Sequence, residues 1–121
     1  MSKTLIIAAH GSRRDSANIA VIELAAKLAL PAYKSIKVGF LELASPSIQE
    51  TIEAVASCTH QIDVYPLFLS PGKHLEDDIP KLVSDMRHEY PKIAIRLLSS
   101  LGRAEHLADF IAAQINSETN S

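Results

Sequence analysis

Apolar and polar positions divide the chain into two alternating kinds of segment. Short apolar runs of strand length occupy residues 5–9, 36–43, 61–69 and 92–98. Apolar residues at helical spacing follow each run: over 16–30, after Ser45-Pro46, after a cap at Asp77 or Asp78, and over 102–115. The pattern therefore predicts four strands that alternate with four helices.

Each predicted helix has an apolar side that is expected to face the core. These positions are Ile19, Ile22, Ala26 and Ala29 in the first helix, Ile48, Ile52, Val55 and Ala56 in the second, Ile79, Leu82, Val83, Met86 and Tyr90 in the third, and Leu107, Ala108, Ile111 and Ile115 in the fourth. Pro31 should end the first helix, and Ser45 should cap the second, with Pro46 at its first position. Residues 70–74 are predicted to form a loop, and Pro80 to lie in the first turn of the third helix.

Apolar strands separated by helices are typical of an α/β domain with a parallel sheet and helices on both faces. Right-handed crossovers favour the strand order 2-1-3-4, a flavodoxin-like arrangement with four strands. At 121 residues the chain fits one domain, predicted over 1–116, with a flexible polar tail over 117–121.

Two histidines follow the first and third strands, which this order makes neighbours. His10 comes directly after the first strand, and His74 lies in the segment after the third. Ligands of such sheets bind beyond the carboxyl ends of the strands, and adjacent strands lie about 4.8 Å apart. A single histidine is more often a surface residue than a ligand, but the fold brings this pair together. Both can therefore contact one metal ion, and imidazole suits cobalt, nickel, iron and zinc.

Other polar residues lie near the same edge of the predicted sheet. Glu42 ends the second strand and is either a third ligand, a general base, or a cap of the following helix. Arg13, Arg14 and Lys73 form a basic rim, which favours an anionic ligand, although charges at a helix start are also compatible with simple solvation. Two serines share these loops, Ser12 and Ser70, and are candidate substrate contacts.

Charge and composition exclude several classes of protein. A formal net charge of -2 disfavours nucleic-acid binding, and we expect no nucleic-acid partner. No window approaches the roughly 20 apolar residues of a membrane span, and the first residues do not resemble a secretory signal, so we expect a cytoplasmic protein. Cys58 is the only cysteine and cannot form an internal disulfide.

Three segments resemble the short-form class II chelatases, the CbiX/SirB-type sirohydrochlorin chelatases. They are AAHGSRRDSA at 8–17, GFLELASP at 39–46 and YPLFLSPGKHLEDDIP at 65–80. The resemblance implies insertion of a divalent metal, Co²⁺, Fe²⁺ or Ni²⁺, into the tetrapyrrole sirohydrochlorin without ATP, in cobalamin or siroheme biosynthesis. It places the family's metal-binding histidines on His10 and His74 and its strand-2 glutamate on Glu42. It further implies a homodimer and no permanently bound cofactor, and Cys58 alone argues against an iron–sulfur cluster.

Two other functions compete with this interpretation. Histidine phosphatases also place a His-Gly pair after their first strand, but they require an arginine directly before the histidine, where this chain has Ala9. A carrier of metal or tetrapyrrole would bind the same ligands without turnover.

Overall fold

A four-stranded parallel sheet forms the centre of the structure, a computed structural model that describes residues 2–70 and 72–120 but not the side chains of His74 and Leu75. Its strands are β1 (Lys3–Ala9), β2 (Ser35–Phe40), β3 (Gln61–Pro66) and β4 (Ala94–Leu97). They pair in the order β2-β1-β3-β4, which confirms the predicted order. Pro66 is the last residue of β3, so its missing N–H interrupts no pairing within the strand.

Four helices alternate with the strands as predicted: α1 (Asp15–Ala26), α2 (Ile48–Val55), α3 (Gly72–Glu89) and α4 (Leu107–Thr119). A short 3₁₀ turn, Leu101–Arg103, separates β4 from α4. Over the part of the chain that the structure covers, these helices are too short or too polar to cross a membrane.

The larger core lies between one face of the sheet and helices α2 and α3. Strand residues on this face are Ile6, Ala8, Ile62, Val64 and Ile95. Both helices bury most of the side predicted for them, namely Ile48, Ile52 and Val55 from α2 and Ile79, Val83 and Met86 from α3. Strand β1 is buried on both sides, since Leu5 and Ile7 face the opposite core, and this explains its uninterrupted apolar run.

Helix α1 packs on the second face of the sheet, but not through the predicted side. Its buried residue is Ala25, and Val21 packs beside it, whereas Ile19 and Ile22 are exposed. The helix ends at Ala26, before Ala29 and well before Pro31. Apolar residues lie on nearly all sides of α1, so their spacing alone did not identify the buried side.

Two helix starts also differ from the prediction. The N-cap of α2 is Ser47 rather than Ser45, because Ser47 and Glu50 form a capping box: Ser47 Oγ accepts the Glu50 N–H at 3.0 Å, and Glu50 Oε1 accepts the Ser47 N–H at 2.9 Å. Helix α3 begins at Gly72, so the predicted loop ends earlier and Pro80 lies inside the helix. The prediction failed here because it treated Pro80 as a first-turn residue, although good helix formers precede it.

Helix α4 differs most from the prediction. All residues from Ala108 to Thr119 are exposed, including Ile111 and Ile115, and Leu107 is half-buried. The helix packs mainly against the 3₁₀ turn and not on the sheet, so the predicted inward face is wrong for this isolated chain. It continues to Thr119, into the segment predicted as a tail, and the flexibility of residues 117–121 stays a prediction.

Asp63 is a fully buried carboxylate on the α1 side of β3. Arg96 donates to both of its oxygens, at 2.7 and 2.8 Å, and the Tyr33 hydroxyl donates to Oδ2 at 2.6 Å. The Arg96 hydrogen bonds, with smaller contributions from Tyr33 and Gln61, lower the pKa of Asp63 to about 2 in spite of its burial. Every buried side-chain nitrogen and oxygen in the described residues has a partner.

We expect this carboxylate to make stability depend on acid pH. Its folded pKa lies below the unfolded value of 3.8, so its contribution is complete above that value and disappears as pH falls towards 2. Asp63→Asn should lower the free energy of unfolding at pH 7 by about 1–3 kcal/mol. In this variant the free energy of unfolding should also decrease less steeply than in wild type as the pH falls below 4. Urea denaturation at pH 7, 4 and 2.5 measures both effects, with the exposed Asp85→Asn as control. If the free energy of unfolding of Asp63→Asn decreased with falling pH as steeply as that of wild type, Asp63 would not be the cause of the acid dependence.

Candidate functional site

His10 and Glu42 form a pair at the carboxyl edge of the sheet. Pairing of the chain continues beyond β1 and β2, since Leu41 N–H donates to Ala9 O at 2.8 Å and Glu42 N–H to His10 O at 3.0 Å. This places the two side chains together, with His10 Nε2 2.9 Å from Glu42 Oε1. Both are accessible, with 45% and 57% of their side-chain surfaces exposed. Glu42 lies two residues beyond β2 rather than at its end, but at the predicted edge.

Both ring nitrogens of His10 lie beside oxygen acceptors. Nδ1 is 3.0 Å from Gly11 O, and Nε2 contacts the Glu42 carboxylate. A proton held between Nε2 and the carboxylate occupies the same lone pair that a metal ion would use. The pair can therefore exchange a proton for a metal ion at a solvent-accessible position.

Gly11 allows the two loops of this pair to approach each other. Its φ is +94°, and a Cβ there would lie 1.8 Å from Glu42 O. Any other residue would separate the His10 loop from the Glu42 loop. Leu43, directly after Glu42, also has a positive φ of 66° although it is not glycine, so the second loop holds local backbone strain. The sequence showed the His-Gly-Ser motif but not this requirement for glycine.

Asn18 fixes the loop that carries His10. Its Oδ1 accepts the Ser12 N–H at 2.9 Å, and its Nδ2 donates to Ser12 O at 2.8 Å. Ser12 Oγ in turn accepts the Arg14 N–H at 3.0 Å, so the hydroxyl predicted to contact substrate already shapes the loop. Asn18 was not among the residues predicted from the sequence. The feature that could have identified it is an amide side chain in the first turn of the helix that follows the loop.

The cations of the predicted rim are exposed around this edge. Arg13 and Arg14 lie in the loop between His10 and α1, with Arg14 at the N-cap position. Ser70 and Lys73 are exposed in the segment after β3. Both segments of the predicted rim thus follow the carboxyl ends of neighbouring strands, although Lys73 lies in the first turn of α3 and not in a loop.

His74 is the third residue of α3, and its side chain lies outside the described residues. Pairing of β1 with the chain after β3 continues to Leu67, whose N–H donates to Ala8 O at 2.8 Å. The backbone of His74 lies seven residues further along the chain than Leu67, in the segment that follows this edge of the sheet. Among the side chains that the structure does describe, no group of three His, Cys, Asp or Glu residues forms. Convergence of His10 and His74 on one metal therefore stays a prediction.

A cavity of about 480 Å³ lies beyond the carboxyl ends of β3 and β4, between α3 and the chain after β4. Its lining is mixed, with Phe68, Leu97 and Leu98 among the apolar residues and Glu76, Asp77, Ser99, Ser100 and Arg103 as the polar ones. The His10–Glu42 pair does not line it and instead lies open on the edge. Sequence reasoning did not select Arg103, which follows the fourth strand rather than the first or third.

Comparisons with known proteins give the family of this chain. The CbiX family model matches residues 4–118. The chain is 37% identical over 83 residues to a sirohydrochlorin cobaltochelatase of Methanococcus maripaludis, covering 67% of this chain and 58% of that protein. It is 32% identical over 113 residues to the chloroplastic sirohydrochlorin ferrochelatase of Arabidopsis thaliana, covering 92% and 50%. The chain thus spans about half the length of these curated relatives.

A solved structure has the same fold and the same length. It is a cobalamin (vitamin B12) biosynthesis CbiX protein of Marinobacter aquaeolei VT8, similar with a TM-score of 0.83 and 27% identity over 98% of both chains. The family match extends over nearly the whole chain and includes the His10 loop, the Glu42 loop and α3. The chain therefore belongs to the CbiX family.

Proposed function

We propose that the protein is a sirohydrochlorin chelatase, a lyase that inserts a divalent metal into a tetrapyrrole without ATP, in cobalamin or siroheme biosynthesis. The observation that carries this proposal is the contact between His10 and Glu42 at the carboxyl edge of the sheet, in a chain of the CbiX family. An exposed imidazole–carboxylate pair supplies both functions that metal insertion needs, a metal ligand and a proton acceptor.

Metal insertion delivers one divalent ion to the ring and releases two pyrrole protons. We assign the ion to His10 and His74, two neutral ligands that hold it weakly and leave positions open for the ring nitrogens. When the ion leaves His10 for the ring, Nε2 regains its lone pair and can accept one of the two pyrrole protons, which Glu42 stabilises across the 2.9 Å contact. The second pyrrole proton passes to solvent water, to which the pair is open.

We propose that the basic rim binds the carboxylates of the substrate. Arg13 and Arg14 are exposed and next to the His10 loop, and guanidinium groups bind carboxylates with two parallel hydrogen bonds. Lys73, Ser70 and the backbone around Ser12 complete the proposed contacts.

Imidazole and carboxylate ligands suit Co²⁺, Fe²⁺ and Ni²⁺ alike, so we propose that metal availability decides which ion is inserted. The two relatives described above are named for cobalt and for iron. In this proposal the metal is a substrate, and the enzyme has no permanently bound cofactor.

We also propose that the protein acts as a homodimer in the cytoplasm, with no nucleic-acid partner. An open His10–Glu42 site supports pairing, because a tetrapyrrole needs an enclosing cleft of several hundred cubic ångströms, on the order of 300–1,000 Å³. A single exposed free cysteine, Cys58, fits a reducing compartment.

Anaerobic incubation of the purified protein with sirohydrochlorin and one metal at a time tests the proposed activity. We expect the absorbance of the metallated ring to appear faster than in the spontaneous reaction without protein, for Co²⁺ or Fe²⁺. Metal or tetrapyrrole binding without any acceleration would instead identify a carrier. Hydrolysis of generic phosphate esters, with no metal insertion, would favour the histidine-phosphatase interpretation.

A further inference from the structure

Leu43 adopts a backbone conformation that its side chain disfavours. Its φ is 66°, in the left-handed region, and among the residues that the structure describes no other non-glycine residue has a positive φ. The Cβ atom and the following carbonyl oxygen crowd each other in this conformation, whereas glycine adopts it easily and asparagine more readily than leucine. The turn at this position therefore does not explain why the chain has a leucine there.

Hydrogen bonds on both sides of Leu43 impose the turn. Glu42 N–H donates to His10 O at 3.0 Å, which keeps the chain before Leu43 paired with the chain after β1. Phe40 N–H donates to Pro46 O at 2.9 Å, so the chain returns to Phe40 only six residues later. Closure of this short loop fixes the backbone of Leu43 whichever side chain it carries.

The side chain of Leu43 contributes little to the packing of the domain. Leu43 is 50% exposed and belongs to neither hydrophobic core of the described residues, whereas Leu41, two residues earlier, packs against the larger core. Single exposed leucines are common on protein surfaces, but here exposure and backbone strain fall on the same residue. Residues that break local preferences in this way are found mostly at functional sites.

Leu43 lies beside the proposed site of metal insertion. It directly follows Glu42, whose Oε1 is 2.9 Å from His10 Nε2, and successive Cα atoms are only about 3.8 Å apart. A tetrapyrrole that receives an ion from His10 must place the centre of its ring near that histidine. The flat apolar ring is wider than the His10–Glu42 pair and extends over the residues next to it. An exposed leucine beside the pair is therefore suited to contact the face of the ring.

We propose that Leu43 binds the apolar face of the tetrapyrrole ring and that the closed loop holds it in position for this contact. The proposal rests on the proposed function, to which it adds a substrate-binding residue. Since the loop is fixed before the ring arrives, the contact costs little conformational entropy. The same contact persists while the metal enters the ring, so Leu43 should contribute to substrate affinity and little to turnover.

Two substitutions remove the contact, Leu43→Ala and Leu43→Gly. In both we expect KM for sirohydrochlorin to rise about 3- to 10-fold, the loss that corresponds to burial of half a leucine side chain, with a nearly unchanged turnover number. Leu43→Met restores an apolar side chain and should recover most of the affinity. Leu24→Ala is the matched control, since Leu24 is 49% exposed but lies near the end of α1 that is distant from the His10 loop.

Stability should separate the same two substitutions. Glycine normally makes a protein less stable than alanine does, because the unfolded chain has more conformational freedom. At this position only glycine relieves the backbone strain, so Leu43→Gly should melt about 2–5 °C above Leu43→Ala, although both bind the ring weakly. A higher melting temperature for Leu43→Ala would contradict the view that the loop holds a strained leucine in place.

Nuclear magnetic resonance tests the contact directly, without metal insertion. Methyl groups that lie over the face of an aromatic macrocycle shift upfield. In protein with labelled leucine methyl groups, metal-free sirohydrochlorin added anaerobically should move the Leu43 signals upfield and leave those of Leu24 in place. The Leu43 signals are assigned by their loss in Leu43→Ala.

Unshifted Leu43 signals in protein that binds the ring, or an unchanged KM in both Leu43→Ala and Leu43→Gly, would overturn the proposal. A lower mass of Leu43→Ala in light scattering, with unchanged KM, would assign the residue to contacts between copies instead and would also overturn it. Shifted signals in a protein that inserts no metal would support the contact while the proposed activity fails. If wild type does not bind the ring, both are wrong.

Discussion

We expect His10→Ala to slow metal insertion at least about 100-fold without unfolding the protein. The side chain lies at the exposed edge of the sheet and contributes little core packing, so its loss should cost little stability. It removes a proposed ligand and a proton acceptor together, and proton transfer by a positioned side chain alone contributes about 100-fold or more. The turnover number should therefore fall much more than substrate affinity changes. His74→Ala should have the same effect if both histidines hold one metal.

The measurement is the rate of metal insertion above the spontaneous background, with circular dichroism as the control for folding. His88→Ala is the matched control, since His88 is an exposed histidine in the last turn of α3, at the other end of the helix from His74. Rates near wild type in both His10→Ala and His74→Ala would show that the pair is structural and that the assigned site is wrong.

Two further substitutions separate the roles within the same site. Glu42→Gln keeps the shape of the side chain but removes the charge that stabilises a proton on His10 Nε2. Slow insertion with retained metal binding would identify Glu42 as a base, and lost metal binding would identify it as a ligand. Arg13→Ala should instead weaken substrate binding with a smaller loss of turnover, because the guanidinium is proposed to bind carboxylates away from the reacting nitrogens.

The strand order and the position of the site could be predicted from local sequence patterns, because few alternative arrangements of the strands are possible. Apolar runs of strand length separated by helices leave little choice other than a parallel sheet, and right-handed crossovers then place β1 beside β3. The strand order also places Glu42 near His10, because β2 is the other neighbour of β1. Both placements depend only on where the strands end, and not on the details of side-chain packing.

Features that the sequence did not predict depend on contacts between distant parts of the chain. Helix α1 is apolar on nearly every side, so only the sheet decides that Ala25 is buried and Ile22 exposed. Periodicity in α4 identified an apolar side correctly but not what covers it, and in one chain it is uncovered. The two hydrogen bonds between Asn18 and Ser12 depend on a turn whose geometry no short motif specifies.

Gly11 provides the largest expected effect on the architecture of the site itself. A methyl group at this position would lie 1.8 Å from Glu42 O, and the backbone has a φ of +94° that side chains disfavour. Gly11→Ala should therefore force the His10 and Glu42 loops apart, lowering the free energy of unfolding by about 2–4 kcal/mol through overpacking and backbone strain. Because the 2.9 Å contact between His10 Nε2 and Glu42 Oε1 depends on this approach, metal insertion should also fall.

Gly72 distinguishes overpacking from backbone strain, because it shares the positive φ, +74°. A methyl group at Gly72, however, would have no atom of the described residues within 4 Å, apart from its own neighbours in the chain. Gly72→Ala should thus cost only the backbone strain, about 1–2 kcal/mol. Urea denaturation of both variants compares the two costs, and the insertion rate of Gly11→Ala reports on the site. Equal destabilisation by the two substitutions, with wild-type insertion in Gly11→Ala, would mean that the loops move apart at no cost. The close approach of the two loops would then not be what holds His10 against Glu42.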